Sequence, residues 1–315
     1  MLSSFQQKYD GFGTKIPPEK QKSVHLPGPD TVRQIIFPAV QKGYICKMKT
    51  VLITGGNRGI GLELCRQFYE KKCTVIMGAR NIEAGKAAAL KIHPSVTVVH
   101  LDVTLPGTLI HSFKIIKEKF GRVDILVNNA GIGEQVAEIR PSLLRNARRL
   151  VEQRIPVAKK KNIKLISVLR NHGMIDSDKN ASKTDIERAV SIMNTNCFGA
   201  WRVIQQFLPL IEKSPSGRII NVSSGMGKLD QLSGYLPGYS ISKAALNALT
   251  IMFANELKSR NIAVNAVCPG WVKTDMGGLN APETPQEGAD TIVWLALSEH
   301  INSGRFYKDR QEIDW

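Results

Sequence analysis

From Lys49 onward, short apolar runs alternate with segments whose apolar residues recur every three or four positions. The runs are rich in Val, Ile and Leu and read as strands buried on both faces; the spaced segments read as amphipathic helices. VLIT (51–54) predicts the first strand. A helix over about 60–71 follows, with Leu62, Leu64, Cys65 and Phe68 on one side. TVIMG (74–78), an Ala-rich helix (82–91), VTVVHL (96–101) and a helix over about 108–120 come next. VDILVNNAG (123–131) supplies the fourth strand and its loop. A long helix over about 184–211, RIINVSS (218–224), a helix over 239–258, IAVNAVCPG (262–270) and GRFY (304–307) complete the pattern. This order predicts an α/β fold: a doubly wound parallel sheet of about seven strands with helices on both faces.

Two segments stand outside the alternation. Residues 1–47 are rich in Pro and Gly, show neither period, and read as a disordered N-terminal extension. Residues 48–315 read as one domain, interrupted by a basic insertion at about 133–172. These two segments hold net charges of +4 and +7 out of +16 for the chain. Neither interleaves aromatic residues among its basic ones, so the charge does not indicate nucleic-acid binding. Within the insertion, Leu143, Leu144, Ala147, Leu150, Val151 and Ile155 fall at helical spacing among arginines, between Pro141 and Pro156. Such a helix can meet an acidic membrane or a partner helix; a tolerated surface insertion is the plainer reading. The five cysteines form no CxxC pair and no metal-ligand spacing, which points to a reducing compartment, the cytoplasm, and no metal site. No apolar run reaches the length of a membrane span.

TGGNRGIG (54–61) joins the first strand to its helix. Gly55, Gly59 and Gly61 let the backbone turn sharply and approach a pyrophosphate, and the helix N-terminus offers free N–H groups to it. The spacing is G-x-x-x-G-x-G, not the G-x-G-x-x-G fingerprint, but its place after the first strand of a βαβ unit points to a Rossmann-type dinucleotide site. The second strand ends in Gly78, Ala79 and Arg80, where an NAD site usually places a carboxylate for the ribose hydroxyls. Arg80 suits a 2′-phosphate instead, and Arg58 in the glycine loop can converge on it. NADP(H) is therefore expected over NAD(H).

Tyr239 and Lys243, four apart at the start of a predicted helix, share one face. An adjacent ammonium favours the phenolate and would let Tyr239 exchange a proton. Ser224, at the end of the preceding strand, can donate to an oxygen that gains charge.

With TGGNRGIG, LDV (101–103), NNAG (128–131), NVSS (221–224), YSISK (239–243) and CPGWVKTDM (268–276) in this order, the chain resembles the short-chain dehydrogenase/reductase superfamily, and its carbonyl-reductase-like branch. The resemblance covers residues 48–132 and about 173–315. It implies that Tyr239 is the general acid, that Lys243 holds the nicotinamide ribose and lowers the tyrosine pKa, and that Ser224, rather than Ser223, polarises the carbonyl. Asn196 would hold a proton-relay water. Gly55, Asn57, Arg58, Gly59, Ile60 and Gly61 would cradle the cofactor. Asp102 and Val103 would meet the adenine, Asn129, Ala130 and Gly131 the adenosine side, and Pro269, Val272 and Thr274 the nicotinamide amide. The substrate is expected to be a small hydrophobic carbonyl compound among Leu229, Leu232, Tyr235, Leu236, Trp271 and Met276.

The chain departs from the family in one place. Asn128 and Asn196 lie much further apart than its pattern requires, and the excess is the 133–172 insertion. The expected function is NADPH-dependent reduction of aldehydes or ketones. Two alternatives stay open: a non-catalytic NADP(H)-binding or redox-sensing protein, and a chain inactivated by the insertion.

Overall fold

The computed structural model describes residues 48–134 and 180–315; what the sequence predicts for 1–47 and 135–172 lies outside the described residues. The strands are β1 (Thr50–Thr54), β2 (Thr74–Ala79), β3 (Thr97–His100), β4 (Ile125–Asn128), β5 (Gly217–Val222), β6 (Ile262–Val267), β7 (Phe306–Lys308) and β8 (Gln311–Ile313). They form one sheet in the order β3-β2-β1-β4-β5-β6-β7-β8, parallel except for the antiparallel β7–β8 pair. The sheet thus has eight strands among the described residues, one more than the sequence indicates. Gln311, Glu312 and Ile313 are short, mostly polar and only partly covered, so they carry no apolar signal.

Seven helices flank the sheet among the described residues: α1 (Gly59–Glu70), α2 (Ile82–Leu90), α3 (Pro106–Phe120), α4 (Ile186–Met193), α5 (Gly199–Ile211), α6 (Pro237–Glu256) and α7 (Pro285–Leu297). Successive strand residues point to opposite faces. Leu52, Leu126 and Ile219 join one core with Val203, Phe207 and Leu249 from α5 and α6. Val51, Ile53, Ile125 and Ile220 join the other with Leu64, Phe68 and Ile292 from α1 and α7. Both faces are dry, which is why β1, β4 and β5 read as continuous apolar runs.

Two departures from the expected helices matter. The long helix over 184–211 is interrupted by a π turn at Asn194–Phe198 between α4 and α5. The helix α7 was not indicated by the sequence reading, although Thr284 and Glu287 form a capping box at its start.

Strand order reverses between β1 and β4. In open α/β sheets such a switch leaves a crevice at the carboxyl ends of the strands. The glycine loop after β1, the Asn129–Gly131 turn after β4, Ser224 after β5 and Pro269–Thr274 after β6 all open at that end.

Candidate active site

The glycine loop is built for close backbone contact. Gly55 and Gly59 have φ of +64° and +53°, which favour glycine. A Cβ on Gly61 would lie 2.1 Å from the Gly55 carbonyl oxygen and 2.5 Å from Asn129 Nδ2. Asn129 is the loop's brace: its Nδ2 donates to the carbonyls of Thr54 (2.9 Å) and Gly55 (3.1 Å). The backbone N–H groups of Asn129 and Ala130 both donate to Thr54 Oγ1 at 3.0 Å. At the start of α1, Arg58 provides no side-chain cap and the first turn holds no acid. Its N–H groups and positive dipole end are therefore well suited to an anion. The loop, with Asn57 and Ile60 on it, fits the pyrophosphate of a dinucleotide.

Around this cradle, Arg80 is exposed at the end of β2. Asp102 Oδ1, after β3, accepts from Thr104 N and Oγ1 at 2.9 and 2.7 Å, which fixes that turn. Val103 is buried against Gly199, where a Cβ would meet it at 2.6 Å. On the opposite rim, Thr274 Cγ2 lies 3.1 Å from where a Cβ on Gly59 would be. Arg58 reaches the same rim: its Nη1 meets Asp275 Oδ2 at 2.9 Å, both side chains being well exposed. Pro269 lies just beyond β6, while Val272 is buried and pairs with Glu283 in an isolated bridge.

The catalytic candidates converge. Tyr239 and Lys243 lie on the first turns of α6, with Lys243 Nζ 5.5 Å from the Tyr239 ring centroid. Ser224 lies within reach of the Tyr239 phenol and favours its ionised form. Ser223, by contrast, is buried and donates to Asn247 Oδ1 at 2.5 Å, so the structure separates the two serines and leaves Ser224 beside the phenol. The phenol is pushed up to about 12, chiefly by desolvation, against the lowering effect of Ser224. The protein's own groups thus keep it protonated, opposite in direction to what an adjacent ammonium alone would do. Lys243 is buried, donates from Nζ to the Val222 carbonyl at 2.7 Å, and is pushed down to about 8 by desolvation.

Asn196 sits within the π turn and is buried. Its Oδ1 accepts from Ile132 N at 2.8 Å; its Nδ2 donates to the Ile132 carbonyl and to Ser242 Oγ, each at 2.9 Å. Ser242 Oγ donates in turn to the Tyr239 carbonyl at 2.7 Å. Both amide hydrogens are committed, so a water on this side chain would have the remaining Oδ1 lone pair. A Cβ on Gly131 would lie 3.3 Å from Asn196 Oδ1 and 3.8 Å from Lys243 Nζ, so both groups flank that glycine.

Three contributors escaped the sequence reading. Ser242 links Asn196 to α6, and lies unmarked inside YSISK. Cys268 Sγ accepts from Gly225 N at 3.2 Å, steadying the turn after Ser224. Glu134 Oε1 accepts from Tyr239 N at 3.2 Å across a separation of 105 residues, which no local pattern announces. Of the expected substrate contacts, Met276 flanks Gly133 together with Tyr239. Tyr235 is buried instead, and Leu229, Leu232 and Trp271 are exposed.

A glycine cradle at the switch point of a doubly wound sheet, with Ser, Tyr and Lys gathered beside it, defines a dinucleotide-dependent oxidoreductase architecture. The family model described as short chain dehydrogenase matches residues 49–153 and 145–284. The chain belongs to the short-chain dehydrogenase/reductase family. A (+)-neomenthol dehydrogenase of Capsicum annuum is 30% identical over 310 residues, spanning 83% of this chain and 96% of that one. Carbonyl reductase [NADPH] 1 of Sus scrofa is 26% identical over 85% of this chain and 94% of its own length. The solved salutaridine reductase of Papaver somniferum superposes with a TM-score of 0.66 at 28% identity, covering 82% of this chain and 99% of that one. No described helix is long and apolar enough to cross a membrane.

Proposed function

We propose that this chain is an NADPH-dependent reductase of aldehyde or ketone carbonyls. The observation that carries the reading is the placing of Ser224 and Lys243 beside the Tyr239 side chain, with Lys243 Nζ 5.5 Å from its ring on one face of α6. The relatives' names support it, since one is a carbonyl reductase designated for NADPH and another a reductase of a plant product.

A nicotinamide dinucleotide bound at the cradle supplies the hydride. Gly55, Gly59 and Gly61 admit its pyrophosphate, and Arg80 and Arg58 are the cations placed for a 2′-phosphate. Asp102, Val103 and Asn129–Gly131 line the adenosine side; Pro269, Val272 and Thr274 face the nicotinamide side. Ser224 donates to the carbonyl oxygen as negative charge develops there. Tyr239 then delivers its proton to that oxygen, and Lys243 steadies the phenolate left behind. The Asn196–Ser242 pair holds the Gly131–Ile132 turn against α6, which keeps these groups in register. Met276 and the apolar side chains after β5 suit a hydrophobic substrate.

The test is turnover of the full chain with NADPH and with NADH across hydrophobic aldehydes, ketones and quinones, followed by loss of the reduced nicotinamide absorbance. Consumption of NADPH in step with alcohol formation is expected. Tight NADPH binding without turnover on any compound would favour the non-catalytic reading.

A further inference from the structure

The helix that carries Tyr239 begins badly. Its N-cap is Leu236, which offers no side-chain acceptor and adopts the left-handed region at φ +49°. The N–H of Tyr239, the third residue of α6, is one of the orphan donors of a helix start. Glu134, just beyond β4, meets it with Oε1 at 3.2 Å. The approach is tight: a Cβ on Gly238 would lie 2.9 Å from that same oxygen and 3.0 Å from Ala189 Cα. The peptide before Glu134 is anchored, since Arg188 Nη2 donates to the Gly133 carbonyl at 2.5 Å. The other carboxylate oxygen, Oε2, is buried with no hydrogen-bond partner among the described residues.

Building on the reductase reading, we propose that Glu134 is a positioning residue for Tyr239: it caps α6 from another part of the chain and brings its carboxylate to the residue that bears the phenol. An ordinary cap would come from the residue at the helix start and carry no link to β4. Here a carboxylate joins the segment after β4 directly to the helix that carries the proton donor, beside the Asn196–Ser242 link. Oε2 has no hydrogen-bond partner among the described residues, and the carboxylate acts on Tyr239 in the direction that retains the proton. Among the described residues, the titratable or charged groups around Glu134 and Tyr239 are Arg188 from α4, Lys243 from α6 and Cys268 from the end of β6.

The experiment compares full-length wild type, Glu134→Gln and Glu134→Ala by thermal midpoint and by the pH profile of kcat for NADPH-driven carbonyl reduction. Gln keeps an oxygen for the Tyr239 N–H but removes the charge; Ala removes both. Glu134→Ala is expected to lower the midpoint by about 3 °C and kcat about tenfold. Glu134→Gln is expected to hold the wild-type midpoint while the alkaline limb of kcat moves about 0.5 unit or more to lower pH. If Gln and Ala lose midpoint equally, or if both keep the wild-type midpoint, the cap is refuted. An unmoved alkaline limb in Glu134→Gln refutes the charge. A wild type that turns over nothing overturns the reductase reading instead, and the midpoints still decide the cap.

Discussion

Asn196 holds the backbone of Ile132 by both of its polar groups, accepting from its N–H at 2.8 Å and donating to its carbonyl at 2.9 Å. This clasp is what ties the turn after β4 to the π turn between α4 and α5. A side chain without the amide leaves the Ile132 N–H and C=O unpaired in a half-buried site, together with one acceptor position on Ser242. Asn196→Ala is expected to destabilise the protein by about 2 kcal/mol in urea unfolding, and to lower kcat more than it raises the KM for NADPH. An unaltered unfolding midpoint would show that water replaces the clasp.

The glycine cradle makes a sharper steric prediction. A methyl group at Gly61 would collide with the Gly55 carbonyl and with the Asn129 amide that braces the loop. Gly61→Ala should therefore weaken NADPH binding at least about tenfold in a fluorescence titration. Wild-type affinity in that variant would mean that the loop has room the structure does not show.

Much of this was readable before any coordinates. The strands β1, β2, β4, β5 and β6 are announced by apolar runs because both sheet faces are covered. The cradle is announced by glycines whose spacing follows from backbone contact. What stayed hidden depends on tertiary placement or lacks hydrophobic contrast. The β8 residues are too few and too polar. The π turn changes no residue pattern, although it re-aims Asn196. Glu134 gains its role only because the segment after β4 meets the start of α6, and the family pattern offers no guide at the edge of the insertion.

The buried ammonium predicts a pH dependence of stability. Lys243 falls from 10.5 in the unfolded chain to about 8 in the folded one. Between those values the unfolded chain binds more protons, so stability should rise as pH increases from about 8 toward 10. The gain is on the order of 2 kcal/mol over that interval. Tyr239 works the other way: raised from 10.0 to about 12, it contributes stability at lower pH that is lost above 10. Urea midpoints across this range should rise in wild type and stay flatter in Lys243→Met. A rise of equal size in both would assign it to another group.

Cofactor choice should follow the basic residue at the end of β2. Arg58 is shared with Asp275 on the far rim, whereas Arg80 stands exposed at the end of β2, the position the proposed reading gives to the 2′-phosphate contact. Arg80→Ala is expected to weaken NADPH about tenfold or more while leaving NADH within about twofold, since only the charge-assisted phosphate contact is lost. Equal weakening of both dinucleotides would contradict that assignment.

In the proposed reduction one phenol, that of Tyr239, passes its proton to the carbonyl oxygen. Single-turnover reduction by Tyr239→Phe, with NADPH binding measured on the same sample, tests it most directly. The cofactor should still bind while the chemical step slows by about 10²-fold or more. A chemical step at the wild-type rate in that variant would contradict it.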